Sequence, residues 1–152
     1  MSILMNLWGI GPELYERLVS GGSDEPYTWT RKNERVGKSW EVLFRTLAGP
    51  SGFQPGLAAI AVGGGWPIDE PDSADYGGAY VLSPREVSQI APALEDVTDE
   101  GFLGRYGAAD FTGLYGNTAP VEGESALHAF HSLREFYREC AQAGDGVLKF
   151  LG

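Results

Sequence analysis

A single cysteine, Cys140, stands among the 152 residues, which excludes an internal disulfide and a zinc site built from several thiolates. One thiol fits a reducing interior. Histidine is nearly as scarce, with His128 and His131 the only two. Long apolar runs are missing as well. The longest uncharged stretch, Thr46 to Ile68, is broken by six glycines and three prolines, so no transmembrane helix is expected. Met1 to Trp8 is apolar but has no basic flank and no small-residue cleavage site, so it reads as a first strand and not as an export signal. A cytoplasmic location is the expectation that follows. Positive charge is short too: 11 Lys+Arg oppose 21 Asp+Glu, a formal charge of −10.

Glycine is abundant, at 22 residues with nine prolines, and 43% of the chain is hydrophobic. A chain of this length buries roughly 68–70% of the surface it exposes when unfolded, enough for a core without metal or disulfide support. No internal repeat or separating linker occurs, so residues 1–152 are expected to form one domain.

Helix signals are strong in five places. Pro12 opens a short helix with Leu14, Tyr15 and Leu18 on one face, ended by Gly21-Gly22. Trp40, Leu43, Phe44 and Leu47 recur at helical spacing within about Lys38 to Ala48. Ser83-Pro84-Arg85-Glu86 is a capping box that starts a helix reaching about Asp96. Thr98 caps a shorter one, with Asp99 and Glu100 at its positive end. Ser125 to Ala143 is the longest, closed by Gly144. Strands are expected at Ser2–Trp8, Leu57–Val62, Gly78–Leu82 and Gly146–Leu151, while Ser23–Gly37 and Gly63–Gly77 read as surface loops. The irregular order points to an α+β fold, a small mixed sheet of about four short strands covered by about five helices.

Several local patterns touch known chemistries without completing them. Gly37-Lys38-Ser39 resembles the end of a phosphate loop, but Lys32 occupies the position of its first glycine and no apolar strand precedes it. His128, His131 and Glu135 fall within about 60° on a helical wheel, the layout of a three-ligand metal face. Arg138, Glu139 and Gln142 share that polar side, so a salt-bridged surface accounts for them and no metal or cofactor is expected. Cys140 lies on the apolar side and reads as inert packing. Asp69, Glu70, Asp72 and Asp75 crowd one loop but lack the spacing and central glycine of a calcium loop. No G-x-S-x-G elbow and no H-E-x-x-H pair is present.

Charge is unevenly placed. Residues 51–124 hold two basic and twelve acidic side chains, a net of −10, while the segments on either side each sum to zero. Such a field repels phosphate backbones, so the basic, aromatic-flanked run from Trp29 to Trp40 is not expected to bind nucleic acid.

Two stretches carry a resemblance: Gly37-Lys38-Ser39-Trp40-Glu41-Val42-Leu43-Phe44, and Tyr76-Gly77-Gly78-Ala79-Tyr80-Val81-Leu82-Ser83-Pro84-Arg85-Glu86-Val87. Together with Leu133-Arg134-Glu135-Phe136-Tyr137 leading to Gly146-Val147-Leu148, their order and spacing resemble the YfbM-like family of bacterial proteins of unknown function. The resemblance spans nearly the whole chain and implies an α+β fold but no activity. Gly37 and Glu41 depart from it, standing where the family pattern tends to have aspartate and histidine.

Two functions remain open on these grounds. The first is a non-enzymatic binding module whose acidic surface, including Asp69, Glu70, Asp72 and Asp75, docks a basic protein partner, with immunity-type neutralisation of a toxin as one form. The alternative is a small-molecule-binding protein or enzyme with a pocket near Lys38, Trp40, Tyr76 and Tyr80, where a lysine beside aromatics could hold an anion or act as a base.

Overall fold

The computed structural model describes residues 4–20, 30–37, 39–48, 56–63, 66–67, 78–111 and 122–151. Five strands form one sheet: β1 (Met5–Ile10), β2 (Thr30–Gly37), β3 (Trp66–Pro67), β4 (Gly78–Leu82) and β5 (Gly146–Leu151). Their order is β2-β1-β5-β4-β3. Six helices accompany them: α1 (Pro12–Val19), α2 (Trp40–Ala48), α3 (Leu57–Ile60), α4 (Pro84–Glu95), α5 (Asp99–Ala108) and α6 (Gly123–Ala143). The fold is α+β, as the sequence implies. Every described strand pairing is antiparallel, so the sheet is not the mixed one expected.

The period of two along β5 sorts its side chains. Val147 joins a large core with Met5, Leu7, Leu82 and residues of α2 to α6, whereas Leu148 joins a smaller core with Ile10, Leu14, Leu18, Ala79 and Val81. One face of the sheet therefore carries five helices and the other carries α1. Within the larger core, Phe102 of α5 stacks on Phe130 of α6 with ring centroids 4.7 Å apart. Such pairs add about 0.5–1.5 kcal/mol beyond area burial.

Two expectations give way. The run Leu57–Val62 is a short helix and turn, not a strand. Its centre is Ala58-Ala59, the strongest helix former twice over, and side chains from other elements take up its last carbonyls, so no neighbouring strand is needed. The charged run within Ser23–Gly37 contains a strand over residues 30–37, which pairs with β1 at the edge of the sheet. An edge strand tolerates polar residues because one side faces no partner, and charge there discourages edge-to-edge pairing. Of Gly63–Gly77, the described residues include the short pairing of 66–67 with β4.

The cap signals hold. Ser83 Oγ accepts from the Glu86 amide at 3.0 Å while the Ser83 amide donates to the Glu86 carboxylate at 3.0 Å. Gly144 closes α6 at φ 73°, a left-handed turn that glycine adopts without a Cβ penalty.

Candidate functional site

The end of α4 and the start of α5 concentrate acid. Glu95, Asp96, Asp99 and Glu100, all exposed, fall within a stretch of six residues, because one helix stops at Asp96 and the next is capped by Thr98, whose Oγ1 accepts from the Gly101 amide. Helix α6 faces them with its cations. Arg138 forks between Glu95, at 2.6 Å, and Glu135, at 2.7 Å. His131 Nε2 lies 2.8 Å from Asp99 Oδ1, and Arg134 approaches the same carboxylate at 3.9 Å while its guanidinium sits over the Phe130 ring. The hydrogen bond from Arg138 holds the Glu95 carboxyl below its ordinary range and raises the guanidinium in turn. Asp96 and Glu100 have no ion pair among the described residues, and Glu122 and Glu124 at the head of α6 add two more exposed carboxylates without one.

A second unusual group lies in the sheet. Lys149, on the central strand β5, is 1% exposed. It stands opposite Leu7 of β1 and Tyr80 of β4. Its ammonium donates to the carbonyl of Ile60 at 2.7 Å and more weakly to that of Val62 at 3.4 Å. The Tyr137 hydroxyl of α6 donates to the carbonyl between them, that of Ala61. Three successive carbonyls, from the last residue of α3 to two positions past it, are thus held by two buried side chains. No carboxylate pairs with the amine among the described residues. Burial therefore pushes Lys149 down to about 7, against the pull of the Glu86 charge, and burial pushes the Tyr137 phenol well up.

The residues singled out from sequence scatter. Trp40 opens α2 and packs, half-buried, on the larger core, while Tyr80 stands on β4 beside Lys149. Lys38 and Tyr76 lie outside the described residues, as do Asp69, Glu70, Asp72 and Asp75. His128 is exposed, His131 turns to Asp99 and Glu135 turns to Arg138, so the three do not converge. Among the described residues no group of three or more His, Cys, Asp or Glu side chains could hold a metal ion. Cys140 is buried. Gly37 adopts φ 66°, a left-handed conformation that glycine takes without a Cβ penalty. Glu41 is tied to Arg45 at 2.7 Å. Lys149 carries a charge that a sequence does not mark as buried, and its one signal is its place two positions after the inward-facing Val147 on an apolar strand.

No described helix is long and apolar enough to cross a membrane. No curated protein matches the chain. Among solved structures it is similar to the crystal structure of YfbM, a protein of unknown function from Escherichia coli, with a TM-score of 0.73, 16% identity, and coverage of 98% of this chain and 99% of that one. At that identity the likeness concerns the fold. A family model described as a domain of unknown function, DUF1877, matches residues 1–150. The capped helices, the central strand and the full-length match together make this chain a member of the DUF1877 family.

Proposed function

We propose that this chain is a non-enzymatic binding module that docks a basic protein partner on the acidic face formed by α4, α5 and the head of α6. The observation that carries the reading is the segregation of charge: all of the net −10 resides in residues 51–124. Within it, Asp96, Glu100, Glu122 and Glu124 remain exposed and without an ion pair among the described residues. Unneutralised carboxylates stay solvated, repel one another, and gain attraction when a cationic surface arrives. Neutralisation of a basic toxin is one form such a module takes.

The test is association with basic proteins as salt is raised from about 0.01 M to about 1 M, which shortens the screening length from about 30 Å to about 3 Å. Affinity should fall steeply, and the charge reversals Asp96→Lys and Glu100→Lys together should abolish it. Binding indifferent to salt and to both reversals overturns the reading.

A second reading is a small-molecule site near Lys38, Trp40, Tyr76 and Tyr80, favoured by the buried amine of Lys149, which stands opposite Tyr80 in the sheet. Thermal-shift screening against anionic metabolites tests it. Stabilisation that disappears in Lys149→Met supports it, and none by any anion overturns it.

A further inference from the structure

Helices α4 and α6 leave an open groove of about 420 Å³ between them, within the range of about 300–1,000 Å³ typical of ligand-binding clefts. Its floor is small and apolar, made by Ala91, Pro92 and Ala141. Its rim is polar and mainly acidic at one end, where Glu95 and Asp96 stand; Arg138, also on the rim, is already claimed by Glu95 and Glu135. Asp96 has no ion pair among the described residues.

A third feature is independent of this charge. Helix α4 runs unbroken through Pro92. Proline has no N–H, so the carbonyl four residues earlier, that of Ser88, is denied its helical donor. Ser88 and Pro92 both line the groove, and the Ser88 hydroxyl is occupied with the carbonyl of Arg85 at 2.6 Å. The groove therefore offers an apolar floor, a backbone carbonyl without its i+4 helical donor, and a carboxylate without an ion pair among the described residues.

Resting on the docking reading above, we propose that this groove seats one side of a basic amphipathic helix from the partner protein. The apolar stripe of that helix lies on Ala91, Pro92 and Ala141, a lysine or arginine meets Asp96, and a side-chain N–H reaches the Ser88 carbonyl. An open groove between two helices suits a helix better than a small molecule, because it leaves a small ligand largely in water.

The experiment titrates the full chain, followed by amide chemical shifts, with two synthetic peptides of identical lysine and leucine content. In one, leucines recur at i, i+3, i+4 and i+7; in the other, the order is scrambled so that they ring the helix. The amphipathic peptide should bind about tenfold more tightly, with shifts in residues 88–96 and 138–142. Asp96→Lys and Gln142→Trp, the latter laying an indole across the groove from an exposed position, should each weaken it about tenfold. Ser88→Trp fills the opposite wall and replaces Gln142→Trp if that variant does not fold. Equal binding of both peptides, with shifts confined to residues 99–110 and 122–124, overturns the groove but leaves the acidic face standing. Binding of neither peptide at low salt overturns both.

Discussion

Arg138 and Lys149 lie eleven positions apart and are treated in opposite ways. Arg138, on the outer side of α6, sits between two carboxylates and is held firmly charged. Lys149, one strand later, is sealed in the core with two backbone carbonyls and, among the described residues, no paired acid, and it is pushed down to about 7. The difference teaches that the formal charge of this chain describes its helical face and not its sheet. On the face, ionised groups attract and neutralise one another and leave a surplus of acid for a partner. In the core, a single amine acts as a fastener that ties the turn after α3 to the middle of the sheet.

Removing the fastener should have the largest effect. Lys149→Ala deletes a fully buried stem and strands the Ile60 and Val62 carbonyls, so a loss of about 2–5 kcal/mol is expected in denaturant unfolding at pH 8. A loss as small as that of a surface residue would break the contrast. The pH dependence sharpens it next. Below pH 7 the amine is protonated in both states and folding carries the full cost of burying the charge. Between 7 and about 10 the folded amine is neutral while the unfolded one is still charged, so stability should rise with pH by about 1.4 kcal/mol per unit. Above that window the raised Tyr137 phenol opposes the trend, since the unfolded phenol ionises first. Measured against Lys149→Met, the difference in stability should show this slope; a flat difference contradicts a depressed amine.

Gly63 probes the same turn from its other side. A Cβ there would lie 2.5 Å from the Phe44 ring, so Gly63→Ala should cost about 1–3 kcal/mol by overpacking and speed amide exchange in residues 57–63. Arg138→Ala should have the smallest effect, barely moving the unfolding midpoint, because its partners are exposed. Its signature is instead in acid titration by NMR, where the Glu95 carboxyl should return upward to its ordinary range. The stabilisation from the depressed Glu95, present above the ordinary carboxylate range and lost as pH falls through its folded value, should vanish with it.

What could be read in advance follows from how local each determinant is. The capping box at Ser83, the cap at Thr98 and the glycine closing α6 act over three or four residues, and each sits where its pattern places it. Strand β2 is hidden because its pairing with β1 depends on residues far along the chain, and its charges resemble those of a loop. Helix α3 is hidden because a short apolar run satisfies either state, and the choice rests on Lys149 and Tyr137, which lie 76 or more positions away. The acidic bias of the candidate face is plain in the composition. The groove is not, because it requires α4 and α6 to be side by side.

The most direct measurement of the whole account compares the affinity of the amphipathic basic peptide for Asp96→Lys and for Lys149→Met, each folded and at low salt. Affinity should fall about tenfold in Asp96→Lys and stay within about twofold of the natural chain in Lys149→Met. Unchanged binding in Asp96→Lys together with loss in Lys149→Met would contradict this and move the working site to the buried amine.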